Sequence, residues 1–149
     1  LPTLLNHGES KLLTAGSGRL ELADQIVAHP VAQRVIVNRV WRWHFGRGIV
    51  DSPSNFGTAG DKPTHPELLD FLAAKFVKDG MSFKKLHKDI LLSRTYQLST
   101  AAEPANVQKD ASNTLYWRAN RQRIDSEGVW DLLLQAANVL DAKALGGPS

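Results

Sequence analysis

The chain contains no cysteine. Disulfides, thiolate metal sites, thiol catalysis and covalent haem attachment are therefore excluded within it. Long apolar runs are missing too: Arg, Asn, Asp or Lys breaks each one, so no segment is expected to span a bilayer. The first residues lack the basic start and apolar stretch of a secretory signal. His7, His29, His44, His65 and His87 show no His-x-x-x-His spacing, so no metal is expected. Gly16-Ser17-Gly18 lacks the flanks of a nucleophile elbow, and Gly46-Arg47-Gly48 is too short to cradle a phosphate. Between Asp24 and Asp51 there are four arginines and no acid.

What remains is ordinary globular material. The 149 residues are 42% apolar and 22% charged, enough for one domain with a core. A net charge of +3 and a pI near 9.3 permit an anionic partner without demanding one. The chain starts at Leu1 and stops on the loop-like Gly146-Gly147-Pro148-Ser149, which reads as a fragment of a longer protein.

Helical periodicity recurs and strand alternation does not. The expected fold is all-α: a compact bundle of about five helices around a central buried helix, with a long ordered Gly/Pro-rich loop. Residues 1–18 read as a poorly ordered lead-in, pinned at most by Leu4, Leu5, Leu12 and Leu13, and 19–149 as a single helical domain. A first helix fits Leu20 to His29, with Leu22, Ile26 and Val27 inward. A second fits Val31 to Phe45; it is apolar on every side, which points to burial on every side. The loop from Gly46 to Thr64 carries Ile49, Val50 and Phe56 to fasten it. Thr64 and Glu67 then form an expected capping box around Pro66, opening a third helix with Leu68, Leu69, Phe71, Leu72 and Phe76 inward. Ser82 caps a fourth, running to about Thr95, with Phe83, Leu86, Ile90 and Leu91 inward. Ser99 to Thr114 reads as a mobile loop. Asp125 caps a last helix, Ser126 to Ala142, whose apolar face is Val129, Leu132, Leu133, Ala136 and Leu140.

The polar residues of the second helix are the first candidates for chemistry. Arg34, Asn38 and Arg42 recur every four residues along one line, with Arg39 to one side and His44 opposite. They form either an anion-binding wall or an internal clamp holding the long loop, and the clamp is favoured because structural ion-pair networks look the same from sequence. Arg47 continues the set. His65 beside Glu67 is a possible base and carboxylate, or simply the start of a capped helix. Arg121 and Arg123, next to Asp125, lie near Tyr116, Trp117 and Arg118; this mixture serves nucleic-acid binding in some proteins, but a surface segment explains it as well.

Several stretches together carry a family resemblance. They are Arg34, Asn38, Arg39 and Trp41; Phe45-Gly46-Arg47-Gly48-Ile49-Val50; Phe56-Gly57; Pro63-Thr64-His65-Pro66-Glu67-Leu68-Leu69-Asp70; Leu86-His87; Thr95-Tyr96; Asn120-Arg121; and Arg123-Ile124-Asp125. The chain resembles, from about Arg19 to its last residue, the planctomycete-specific domain of unknown function (domain of unknown function 1553) found near the C-terminus of large proteins. It departs from that pattern at Trp130, where the family usually has Arg, and at Met81, where Trp is common. The resemblance implies a periplasmic or otherwise extracytoplasmic multidomain parent, with a cytochrome-c-like domain and so haem elsewhere, and none in this domain. It carries over no catalytic residue.

The expected role is a non-catalytic interaction or scaffold module that packs on other domains of its parent or helps recognise an acidic ligand, for instance an acidic polysaccharide. The alternative is part of an enzyme acting on polysaccharide, with Arg34, Arg39, Arg42, His44, His65 and Glu67 around a cleft. Nucleic-acid binding ranks third.

Overall fold

The computed structural model describes residues 17–141. The expected lead-in falls outside the described residues apart from Ser17 and Gly18. Among those described there are six helices and no strand: α1 (Arg19–Ala28), α2 (Pro30–Phe45), α3 (Pro66–Lys78), α4 (Phe83–Leu91), α5 (Pro104–Lys109) and α6 (Ser126–Ala136). The fold is all-α. The short α5 stands inside the stretch expected to be a mobile loop, where Pro104 in the first turn costs no hydrogen bond.

Helix α2 is the centre. It packs mainly on α3 and touches α1 and α4. Val37, Val40, Trp41 and Phe45 join Leu69, Leu72 and Phe76 of α3, Leu86 and Ile90 of α4, and Ile49, Val50 and Tyr116 in one core. Trp41 stacks on Phe45 at 4.1 Å, and Tyr116 meets both rings edge-on at 5.4 and 5.5 Å. Burial on every side of α2 is not what the structure has. Ile36, Arg39, Arg42 and Trp43 form an open stripe, and Trp43 is 63% exposed. Spacing at three and four residues puts these positions on one side of the helix, and no other described element covers it there.

Gly46 ends α2 in the left-handed conformation (φ 75°), returning its N–H to the Arg42 carbonyl at 2.7 Å. The following loop is ordered, as its anchors required. Ile49 and Val50 are buried, Phe56 packs against the core, and Ser52 ties Asn55 and Asp61 together through its hydroxyl. The α3–α4 turn uses Gly80 (φ 73°) and Met81 (φ 56°), with Lys75 of α3 bonded to both Asp79 and Asp89 across it. Ser82 caps α4 and Asp125 caps α6 through bonds to Lys85 N–H and Gly128 N–H.

Other expectations fail at the same level. Thr64 and Glu67 form no capping box: the helix starts at Pro66, so His65 is the N-cap of α3, and no side chain caps it, while the Thr64 hydroxyl donates to the Ile49 carbonyl. Ile26, Val27, Phe71, Phe83 and Leu91 are exposed rather than inward. Helix α4 stops at Leu91, short of Thr95. Helix α6 stops at Ala136, and among the described residues nothing buries its apolar face: Val129, Leu132, Leu133 and Ala136 are all exposed. Periodicity tells which face of a helix is apolar; it does not supply the surface that covers it.

Candidate functional site

Three places concentrate polar chemistry or unfilled surface: a clamp at Asn38, a histidine cleft at the end of α2, and open apolar surface on α1 and α6.

Asn38 is fully buried. Its amide donates to the Val50 carbonyl at 2.9 Å and its side-chain oxygen accepts from the Val50 N–H at 2.8 Å. One side chain thus satisfies both backbone groups of a core loop residue, as a neighbouring strand would. Gly48 makes room for it. A Cβ there would lie 2.5 Å from the Val50 carbonyl oxygen and 2.9 Å from each Asn38 amide atom. Thr64 bonds the Ile49 carbonyl, and the Tyr116 hydroxyl donates toward the Arg47 and Gly48 carbonyls. Arg47 spans outward, to Thr114 Oγ1 at 3.0 Å and Asp51 at 3.1 Å.

The last carbonyls of α2 are capped from far along the chain. Asn120 donates to the Phe45 carbonyl at 2.9 Å and Gln122 to the His44 carbonyl at 3.1 Å. The fully buried Asn113 holds that segment by bonding Arg118 and Asn120. Asp110 shapes the preceding turn by accepting from the Thr114 and Leu115 N–H groups, and the Leu115 bond foremost lowers its carboxyl below the usual range. Beside this cap lies a cleft of about 320 Å³, walled by His44, Tyr96, Asn120 and Gln122. His44 Nε2 meets His87 Nδ1 of α4 at 2.7 Å, and the Tyr96 ring stands edge-on to His44 at 5.6 Å.

Burial, and secondarily the neighbouring His87, lower the proton affinity of His44 below its ordinary 6.5. An unfolded chain accepts that proton near 6.5, whereas the folded one resists it until lower pH. The contribution is therefore present above 6.5 and lost as pH falls through the folded value. We expect the melting temperature to decline as pH drops from 7.5 toward 5, and the decline to be shallower in His44→Gln. Equal slopes for the two proteins would mean that other groups govern this range.

The remaining sequence candidates do not converge on one cleft. Arg34 pairs with Asp70 of α3 at 2.7 Å. Arg39 and Arg42 face solvent and make no ion pair among the described residues. His65 Nδ1 lies 2.9 Å from the Thr64 hydroxyl, with its ring against Tyr116. Glu67, Arg121 and Arg123 are exposed, and Asp125 serves as the α6 cap. Of the line Arg34, Asn38 and Arg42, only Asn38 holds the loop, together with Arg47. Sequence reasoning missed His87, Tyr96, Tyr116, Asn120 and Gln122, whose partners lie tens of residues away; only the unusual density of Asn and Gln in 113–122 hinted at capping.

A groove of about 790 Å³ runs between α1, α2 and α3, lined by Val27, Ala28, Pro30, Ala73, Ala74 and Val77, with Arg34 and Asp70 also on its wall. On α6, Val129, Trp130, Leu132 and Leu133 are 44, 62, 53 and 58% exposed. No described helix is long and apolar enough to cross a membrane.

No curated protein and no solved structure matches the chain. A family profile does, over residues 18–149, which takes in every element above. The chain belongs to the PSD1 family, described as protein of unknown function (DUF1553).

Proposed function

We propose that this domain is a non-catalytic interaction module of a multidomain exported protein, seated on other domains of its own chain through α6. The open face of α6 carries the reading. An isolated helix shorter than about 12–15 residues is marginal in water, so its stability must come from packing. Helix α6 has 11 residues and buries none of them. Each large apolar side chain it shows would contribute roughly 1.5–3 kcal/mol on full burial. In the same proposal, haem belongs to another part of the parent, as the family resemblance implies; this stretch has no cysteine to attach one covalently. A role in polysaccharide chemistry is less well supported, since Arg34, His44 and His65 each face a different partner.

Leu133→Asp tests the proposal. In the isolated domain the substitution touches an exposed side chain, so stability should stay within about 0.5 kcal/mol. In the full-length parent it should separate this domain's melting transition from that of its neighbours. A parent that melts unchanged would sink the proposal.

A second reading rests on the open stripe of α2. Arg39, Arg42 and Trp43 offer two cations without an ion pair among the described residues, beside an aromatic face, a surface suited to an acidic polysaccharide. Its binding would be lost in the Arg39→Ala/Arg42→Ala double variant and kept in Leu133→Asp.

A further inference from the structure

We propose that His44 and His87 bind a divalent transition-metal ion of the zinc, nickel or copper class, bridging α2 and α4 and leaving open coordination positions toward the cleft at Tyr96. The two residues are 43 apart, so no local spacing announces them. The fold brings His44 Nε2 and His87 Nδ1 to 2.7 Å, on separate helices and both half-buried. An imidazole lone pair lies in the ring plane, where an N–H would point. Two nitrogens within hydrogen-bond reach therefore already aim at a common point between the rings. Imidazole is the side chain these ions prefer.

The fit needs a small, defined movement. Two nitrogens bound to one tetrahedral ion at about 2.0–2.1 Å stand roughly 3.3 Å apart, so the pair must open by about 0.6 Å. Side-chain rotation suffices for that. The neutral pair needs no net proton loss: the proton between the rings is replaced by one on the same ring's other nitrogen, and both facing nitrogens present lone pairs. No cluster of three or more His, Asp or Glu converges among the described residues, so the protein supplies two ligands here. Water fills the remainder from the adjoining cleft of about 320 Å³, room for several molecules at about 30 Å³ each. Such a site is weaker than a four-ligand structural one and open to a further ligand.

The competing account is a hydrogen-bonded latch that never holds an ion. Titration calorimetry with zinc chloride at pH 7.5 separates them, run on the wild type, His44→Ala, His87→Ala and His87→Gln. Glutamine keeps a hydrogen-bonding group toward His44 but is a poor ligand. We expect one zinc per chain in the wild type, at least about tenfold weaker binding in all three variants, and zinc-induced shifts of the His44 and His87 ring nitrogens by NMR. The ring-nitrogen signals decide the matter even where an alanine variant folds poorly. No saturable heat in the wild type, full affinity in His87→Gln, or shifts confined to other histidines would each overturn the site.

Discussion

Asn38→Ala should lower stability by about 3 kcal/mol, close to 10 °C in melting temperature. The substitution removes no charge and little volume. It leaves the N–H and C=O of Val50, a residue only 2% exposed, without partners inside the core. Each such orphan costs roughly 1–3 kcal/mol, because the water it bonds in the unfolded chain cannot follow it in. Domains of this kind have only about 5–15 kcal/mol in hand. Arg39→Ala is the matched control on the neighbouring position: its side chain is in solvent, and the change should stay within about 0.5 kcal/mol. Urea melts of both variants check the pair. An Asn38→Ala midpoint equal to wild type would show that the loop does not depend on this side chain.

Gly48→Ala attacks the same clamp from the other side, and its expected loss is about 3 kcal/mol or more. The added methyl meets a backbone oxygen at 2.5 Å, and backbone cannot rotate aside as a flexible side chain would. Two of its three closest atoms belong to Asn38. Combining Gly48→Ala with Asn38→Ala should therefore cost less than the sum, by about 0.5–3 kcal/mol, since the second change removes atoms the first collides with. Strict additivity in a double-mutant cycle would mean that the loop shifts away as a unit.

Local grammar was legible in this sequence and long-range partnership was not. Ser82 and Asp125 work as caps because a cap needs only the three residues after it. Leu69, Leu72 and Phe76 are buried where their spacing put them. Thr64 had the same local credentials, yet its hydroxyl serves Ile49, 15 residues back. Asn38 stood out as a polar group on a helix that had to be central; its partner, the backbone of Val50, has no signature in sequence. His44 was a site candidate and His87 was not, because only the packing of α2 on α4 makes them a pair. The apolar face of α6 was legible from its spacing; that nothing among the described residues buries it was not. Composition reports what a surface wants and is silent on whether the want is met.

The cap on α2 also sets a timetable. Its closing carbonyls, on His44 and Phe45, wait for side chains 78 and 75 residues further on. A ribosome adding about 5–20 residues per second needs roughly 4–15 s to make that stretch. During synthesis α2 can find α3 and α4 while its own final turn stays unfinished. The end of the central helix is thus sealed only after the helices it packs on have been made.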